Sequence, residues 1–179
     1  MRPAAKIALM LGVLALSALG CGLLNPTTPP PATTLPPTAA PSPTPEDPAA
    51  GQTARVVTVI DGDTIDVLID GERYRVRYIG INTPEREEVC YTEATAANAA
   101  WVEDRTVRLV RDVSETDRYG RLLRYVYVDG VFVNEALIRD GWAEAVSFPP
   151  DTTYVRRFYA LEDQARAAGL GCHPTGVFD

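Results

Sequence analysis

Between residues 55 and 81, apolar and polar positions alternate in three short runs divided by turn residues, as in a half-buried, hairpin-connected ladder. The runs predict strands over 55–60, 64–69 and 72–81. The first ends in Asp61-Gly62-Asp63, a tight turn that holds carboxylates at a strand end. The second and third are joined by Asp70-Gly71, a hairpin signal. Along the third, Tyr74, Val76 and Tyr78 share one face and Arg73, Arg75 and Arg77 the other. Further strands are expected at 106–111 and 121–128, the latter returning through Asp129-Gly130 into 131–133. Helical spacing marks 93–103, with Thr92 as cap and Ala94, Ala97 and Trp101 recurring. A second helix is expected at 135–140, capped by Asn134 and stopped by Gly141. The last runs from near Thr153 to Gly169, with Tyr154, Phe158, Leu161 and Ala165 on one face. Five strands and three helices predict an α+β fold built on a five-stranded OB-type β-barrel.

The first third of the chain follows neither period. Residues 1–20 carry Arg2 and Lys6, then an apolar stretch from Ile7 to Leu19 that is too short to span a bilayer and has signal-peptide proportions. Ala18-Leu19-Gly20-Cys21 resembles the bacterial lipobox, where the cysteine is lipidated and the chain is cut just before it. A plain secretory signal with a chance cysteine is the alternative. Residues 21–54 are dominated by Pro, Thr and Ala with almost no charge, which suits an extended, disordered tether, either bare or glycosylated at threonine. The expected organisation is a lipoprotein signal peptide over 1–20, lipidated Cys21 with its linker to residue 54, and one folded domain over 55–179. Such a protein would sit on the extracellular face of a bacterial envelope, held to the membrane by lipid.

The domain's charge narrows its chemistry. Residues 55–179 hold 22 Asp and Glu against 15 Arg, a net of −7, with no lysine. Counterion release rewards positive charge, so contact with nucleic acid has to run through a local arginine cluster and a metal. Cys90 and Cys172 remain after Cys21. An exported chain with two such cysteines is expected to pair them, which contributes about 4 kcal/mol in the chain-entropy model; two free thiols are the alternative. The single histidine, His173, lies in the C-terminal tail and reads as a surface residue. A Ser-His-Asp triad, a histidine metal cluster or a histidine general base is not readily built from it.

Pro84 forces an extended turn after the third strand and leaves Asn82, Thr83 and Glu85 as oxygen donors. Carboxylates, an amide oxygen and a guanidinium converging on one place suit a hard cation and a phosphate. Each piece alone is bland: DGD and DGE are ordinary turn sequences, and Arg73 and Arg75 read as the wet face of a strand with no catalytic role. The conjunction is more specific. The DGDT turn, Arg77 five residues before Asn82, the Thr83-Pro84-Glu85 turn and the block TDRYGRLLRYVYVDGVFVNEALIRDGWA resemble the thermonuclease (staphylococcal-nuclease-like) family over residues 56–169.

That resemblance implies a calcium-dependent phosphodiesterase that cuts DNA, with RNA as a second candidate, and leaves 3′-phosphates. It implies calcium ligands at Asp63, Asn82 and the Thr83 carbonyl, and a catalytic set of Arg77, Glu85 and Arg121. Glu85 would position or deprotonate the attacking water, and the two arginines would grip the scissile phosphate. Tyr119 would contact the nucleotide. The chain departs from the family pattern at Asn82, where the family usually has aspartate, so calcium binding is expected toward the millimolar end of extracellular sites. It departs again around 146–149, where the family often has tyrosines; Phe148 is the residue left to stack on a base. A monomer is expected. The competing reading is a non-catalytic OB-type nucleic-acid-binding lipoprotein, and a third is a surface lipoprotein that binds another protein.

Overall fold

The computed structural model describes residues 51–179. The signal segment, Cys21 and the linker up to residue 50 lie outside the described residues. The ladder forms as strands β1 (Gln52–Val59), β2 (Thr64–Ile69) and β3 (Glu72–Tyr78), paired antiparallel. β1 starts three residues earlier than its apolar run because its first half pairs with another strand. Backbone hydrogen bonds need no apolar side chains. A bulge between Val56 and Thr58 bends β1 between its two partners.

The third predicted strand does not reach residue 81 unbroken. Gly80 takes a positive φ of 78°, and a Cβ there would meet the Phe158 ring at 2.8 Å, so only glycine fits this turn. Beyond it a short strand, β4 (Ile81–Asn82), leaves the barrel. Helix α1 (Tyr91–Val102) follows, then β5 (Thr106–Val110), β6 (Leu122–Val128) and β7 (Val131–Phe132). β5 takes the first half of β1 as its partner, from Gln52↔Leu109 to Arg55↔Thr106. The barrel closes where β3 and β6 pair in parallel, with Val76 opposite Leu122 and Arg77 opposite Leu123. Five strands, in the order β3-β2-β1-β5-β6, make the closed barrel, as expected.

Helix α2 (Val133–Arg139), strand β8 (Glu144–Ala145) and helix α3 (Val155–Ala167) complete the domain, and β8 pairs with β4. Val56, Ile65, Val67, Val76, Leu109 and Val126 are fully buried in the core. Phe158 of α3 adds to it beside an edge-on cluster of Tyr125, Phe132 and Tyr154. Two expected caps are absent. Cys90, not Thr92, precedes α1, and Asn134 lies inside the first turn of α2. There its amide is buried, accepting from the Val126 N–H and donating to the Ile79 carbonyl, both at 2.9 Å. A polar group so placed ties α2 to the barrel, a need that outweighs capping. Among the described residues no helix is long and apolar enough to cross a membrane.

Candidate active site

The Asp61–Asp63 turn is fixed from both sides. Asp61 Oδ1 accepts the Asp63 N–H at 3.0 Å, and the Asp61 carbonyl accepts from the buried Asn98 amide of α1 at 2.9 Å. The other end of the Asn98 amide accepts from the Tyr78 hydroxyl at 3.0 Å. Gly62 lets the turn press against Thr83, whose side chain would lie 2.7 Å from any Cβ at 62. The Asp63 carboxyl is thereby buried, 4% exposed, against Thr83. Its Oδ2 accepts the Thr83 N–H at 2.9 Å and the Thr83 hydroxyl at 3.2 Å, and lies 3.0 Å from Arg77 Nη1. Burial pushes this carboxyl up to about 6, although Arg77 and the hydrogen bonds from Thr83 and Thr64 pull the other way.

Arg77 gathers the predicted residues. Besides Asp63 it reaches the Tyr78 and Ile81 carbonyls at 3.1 and 2.9 Å, and its Nη2 donates to Asn82 Oδ1 at 3.1 Å. Asn82 stands opposite Glu144 in the β4–β8 ribbon, and its Nδ2 donates to Glu144 Oε1 at 2.9 Å. Glu144 carries no sequence signal of its own; it becomes a partner only through that register. Glu85 is exposed on the loop after Pro84, and its N–H donates to Glu88 Oε2 at 2.6 Å. Five residues on, Cys90 is bonded to Cys172, with Cα atoms 5.7 Å apart, so the C-terminal segment is tied to this loop. His173, next to it, is half-buried rather than on the surface and packs edge-on against Phe178.

Arg121 arrives from the other side of the closure seam, one residue before β6. Asp117 sets its direction. Its Oδ1 accepts the Tyr119 and Arg121 N–H groups at 2.9 and 3.0 Å, and its Oδ2 accepts from Arg121 Nε at 2.6 Å. Its sequence signal is an aspartate three residues before Gly120, an Asx-type turn. Burial pushes the Asp117 carboxyl up, but these hydrogen bonds outweigh it and hold it below its ordinary value. Arg77, Tyr119, Arg121 and Phe148 line one cleft of about 470 Å³. Tyr119 and Phe148 are 70% and 68% exposed, and the Arg118 guanidinium lies over the Tyr119 ring 4.7 Å from its centroid. Asp151 holds the Phe148 side in place: its N–H donates to the Phe148 carbonyl, and its carboxylate accepts the Val113 and Ser114 N–H groups.

The arrangement thus joins Asp63, Arg77, Asn82 and Thr83 through hydrogen bonds, and joins Arg77, Arg121, Tyr119 and Phe148 through a cleft. No direct contact links Glu85 to either set. Among the described residues no group of three or more His, Cys, Asp or Glu side chains is arranged as a metal cluster. The candidate ligand atoms on Asp63, Asn82 and Thr83 are all oxygens, and Arg77 now occupies Asp63 Oδ2 and Asn82 Oδ1. Oxygen ligands of this kind suit a hard cation better than a soft one.

The chain is similar to known proteins over much of the described domain. The profile of a family described as "Staphylococcal nuclease homologue" matches residues 75–172. A thermonuclease of Staphylococcus hyicus is 37% identical over 121 residues, which is 64% of this chain and 72% of its own length. Endonuclease YncB of Bacillus subtilis is 38% identical over 119 residues, 62% of this chain and 56% of its own. The SPbeta prophage-derived endonuclease YokF of the same organism is also 38% identical over 119 residues, covering 40% of its length. The chain therefore spans well under two thirds of the latter two.

Proposed function

Because the chain belongs to the staphylococcal nuclease homologue family, we propose that it is a nuclease that hydrolyses phosphodiester bonds of DNA, and of RNA as a second substrate. The finer reading is a calcium-dependent enzyme that leaves 3′-phosphates and is held at the outer face of a bacterial envelope by lipid on Cys21. The observation that carries the nuclease reading is that Arg77 of β3 and Arg121, just before β6, line one cleft together with Tyr119. Two guanidiniums lining one open cleft of an acidic protein suit a bound phosphodiester.

Asp63, Asn82 and the Thr83 carbonyl would hold the calcium, which when bound supplies charge neutralisation at the phosphate. The chain's own groups do the rest. Arg77 and Arg121 orient the phosphate and contribute most as charge builds on its oxygens at five-coordinate phosphorus. Glu85, exposed at the loop, positions the attacking water or takes its proton, as a carboxylate within hydrogen-bond reach can. Tyr119 and Phe148 offer faces on which bases stack.

The test is cleavage of single-stranded DNA by the full chain, with calcium and with chelator, beside Glu85→Gln and Arg121→Ala. Cutting is expected only with calcium. Arg121→Ala should lower kcat/KM by about 10³-fold and Glu85→Gln by about 10²-fold or more. DNA binding without cutting by the unaltered chain would reassign the protein to the non-catalytic binding reading.

A further inference from the structure

Two arginines of β3 have no part in the chemistry above. Arg73 and Arg75 share the outer face of β3 with Arg77. Same-face neighbours on a strand stand about 6.8 Å apart, so the three stems form a row of about 14 Å. Both are held from below by Asp66, which stands opposite Arg75 on β2. Asp66 accepts from Arg73 Nε and Nη2 at 3.1 and 2.7 Å, and from Arg75 Nε and Nη2 at 2.8 and 3.1 Å. The carboxylate side chain is 5% exposed, whereas those of Arg73 and Arg75 are 58% and 50% exposed. Arg73 Nη2 also donates to Thr58 Oγ1 of β1 at 3.0 Å, so the cluster ties strands together as well as presenting charge. Two arginines on one carboxylate leave a net positive charge, with oriented donors facing solvent, on a chain whose formal net charge is −7.

Asp66, Arg73 and Arg75 line a depression of about 660 Å³ whose remaining wall is Tyr119, Gly120 and Arg121. Tyr119 and Arg121 also line the cleft that holds Arg77 and Phe148, so the two hollows share an edge. We propose that Arg73 and Arg75 form a second phosphate-binding subsite, which grips the backbone of a single-stranded polynucleotide beyond the phosphate held at Arg77 and Arg121. A row of about 14 Å is longer than a single phosphate group, so it can meet more than one along a backbone. Tyr119, exposed on the shared edge, offers a stacking face between the two grips. The subsite makes polymers, rather than mononucleotides, the substrate class. Its placement rests on the nuclease reading of the neighbouring cleft.

The experiment is the salt dependence of binding of a fluorescein-labelled 12-nucleotide single-stranded DNA to the full chain. It is read by anisotropy in chelator, between 100 and 300 mM NaCl. The double variant Arg73→Gln/Arg75→Gln is expected to weaken binding about tenfold and to reduce the slope of log K against log salt by about 1.4, or about 0.7 per lost phosphate contact. Arg156→Gln/Arg157→Gln, on α3, makes the same charge change away from both hollows and should leave most of the slope. Because the double variant strands the Asp66 carboxylate, a triple variant that also carries Asp66→Asn keeps the fold testable and should show the same reduced slope. An unchanged slope in the double variant, an equal loss in the α3 pair, or a slope restored in the triple variant overturns the subsite. So does an unchanged DNA slope coupled with lost binding to phosphatidylglycerol vesicles, which would assign the pair to lipid. Failure of the unaltered chain to cut this DNA in calcium counts against the nuclease reading alone, because the slope is read without cutting.

Discussion

Asp63 carries two opposed demands in one carboxyl group. Burial raises it from 3.8 to about 6, so it holds its proton more tightly in the folded chain than in the unfolded one. Its contribution to stability is therefore complete below 3.8 and lost as the pH rises through about 6. At pH 7 the ionised, buried group costs on the order of 3 kcal/mol relative to its solvated state. Asparagine at 63 removes that cost but leaves one oxygen where two accepted hydrogen bonds, so part of the gain is returned. Asp63→Asn is expected to raise the melting temperature of the calcium-free chain at pH 7, with the difference shrinking toward zero near pH 4. The same variant should no longer be protected by calcium, and its cutting should be abolished. Thermal melts across this pH range, with chelator and with calcium, measure both effects. A variant that melts lower at pH 7 would show that the Arg77 ion pair outweighs burial.

At the scale of elements, local periodicity was readable and distant packing was not. The outward row of Arg73, Arg75 and Arg77, the Asp70-Gly71 hairpin and the Phe158 face of the last helix follow from alternation and helical spacing alone. The end of the third strand does not, because the Phe158 ring, from a helix far along the chain, decides that turn at Gly80. The β4–β8 ribbon was equally hidden, since its two-residue strands have no period to detect. Yet this ribbon gives the departure at Asn82 a physical reason. An amide at 82 donates to Glu144, whereas an aspartate would face that carboxylate directly across two strands. Asn82→Asp is accordingly expected to tighten calcium binding while destabilising the calcium-free chain by about 1 kcal/mol through like-charge opposition. Adding Glu144→Gln should remove the stability loss and keep the tighter binding. Calcium titration by calorimetry and chelator-treated melts check the pair; unchanged calcium affinity would remove residue 82 from the ligand set.

Across the whole molecule, an acidic surface carries a narrow basic seam, and the two act over different distances. Of the arginines on the seam, Arg77 and Arg121 open into the cleft, and Arg73 and Arg75 extend it along β3. The charge of −7 belongs to the whole chain and is felt from afar. At about 0.01 M salt the screening length is about 30 Å, so an approaching polynucleotide meets the net negative field before any arginine. At about 0.1 M it falls to about 10 Å, which silences distant carboxylates but leaves contacts within the cleft largely intact. Further salt then competes with the arginine–phosphate contacts themselves and weakens binding by counterion release. The value of kcat/KM on single-stranded DNA, at saturating calcium, is thus expected to rise several-fold from about 0.01 to 0.1 M NaCl and to fall beyond it. A protein whose net charge was positive would show only the fall. Initial rates across this range, at fixed calcium, decide the matter: a decline from the lowest salt onward would mean that the seam governs encounter at every distance and that the acidic surface lies electrically out of the substrate's path.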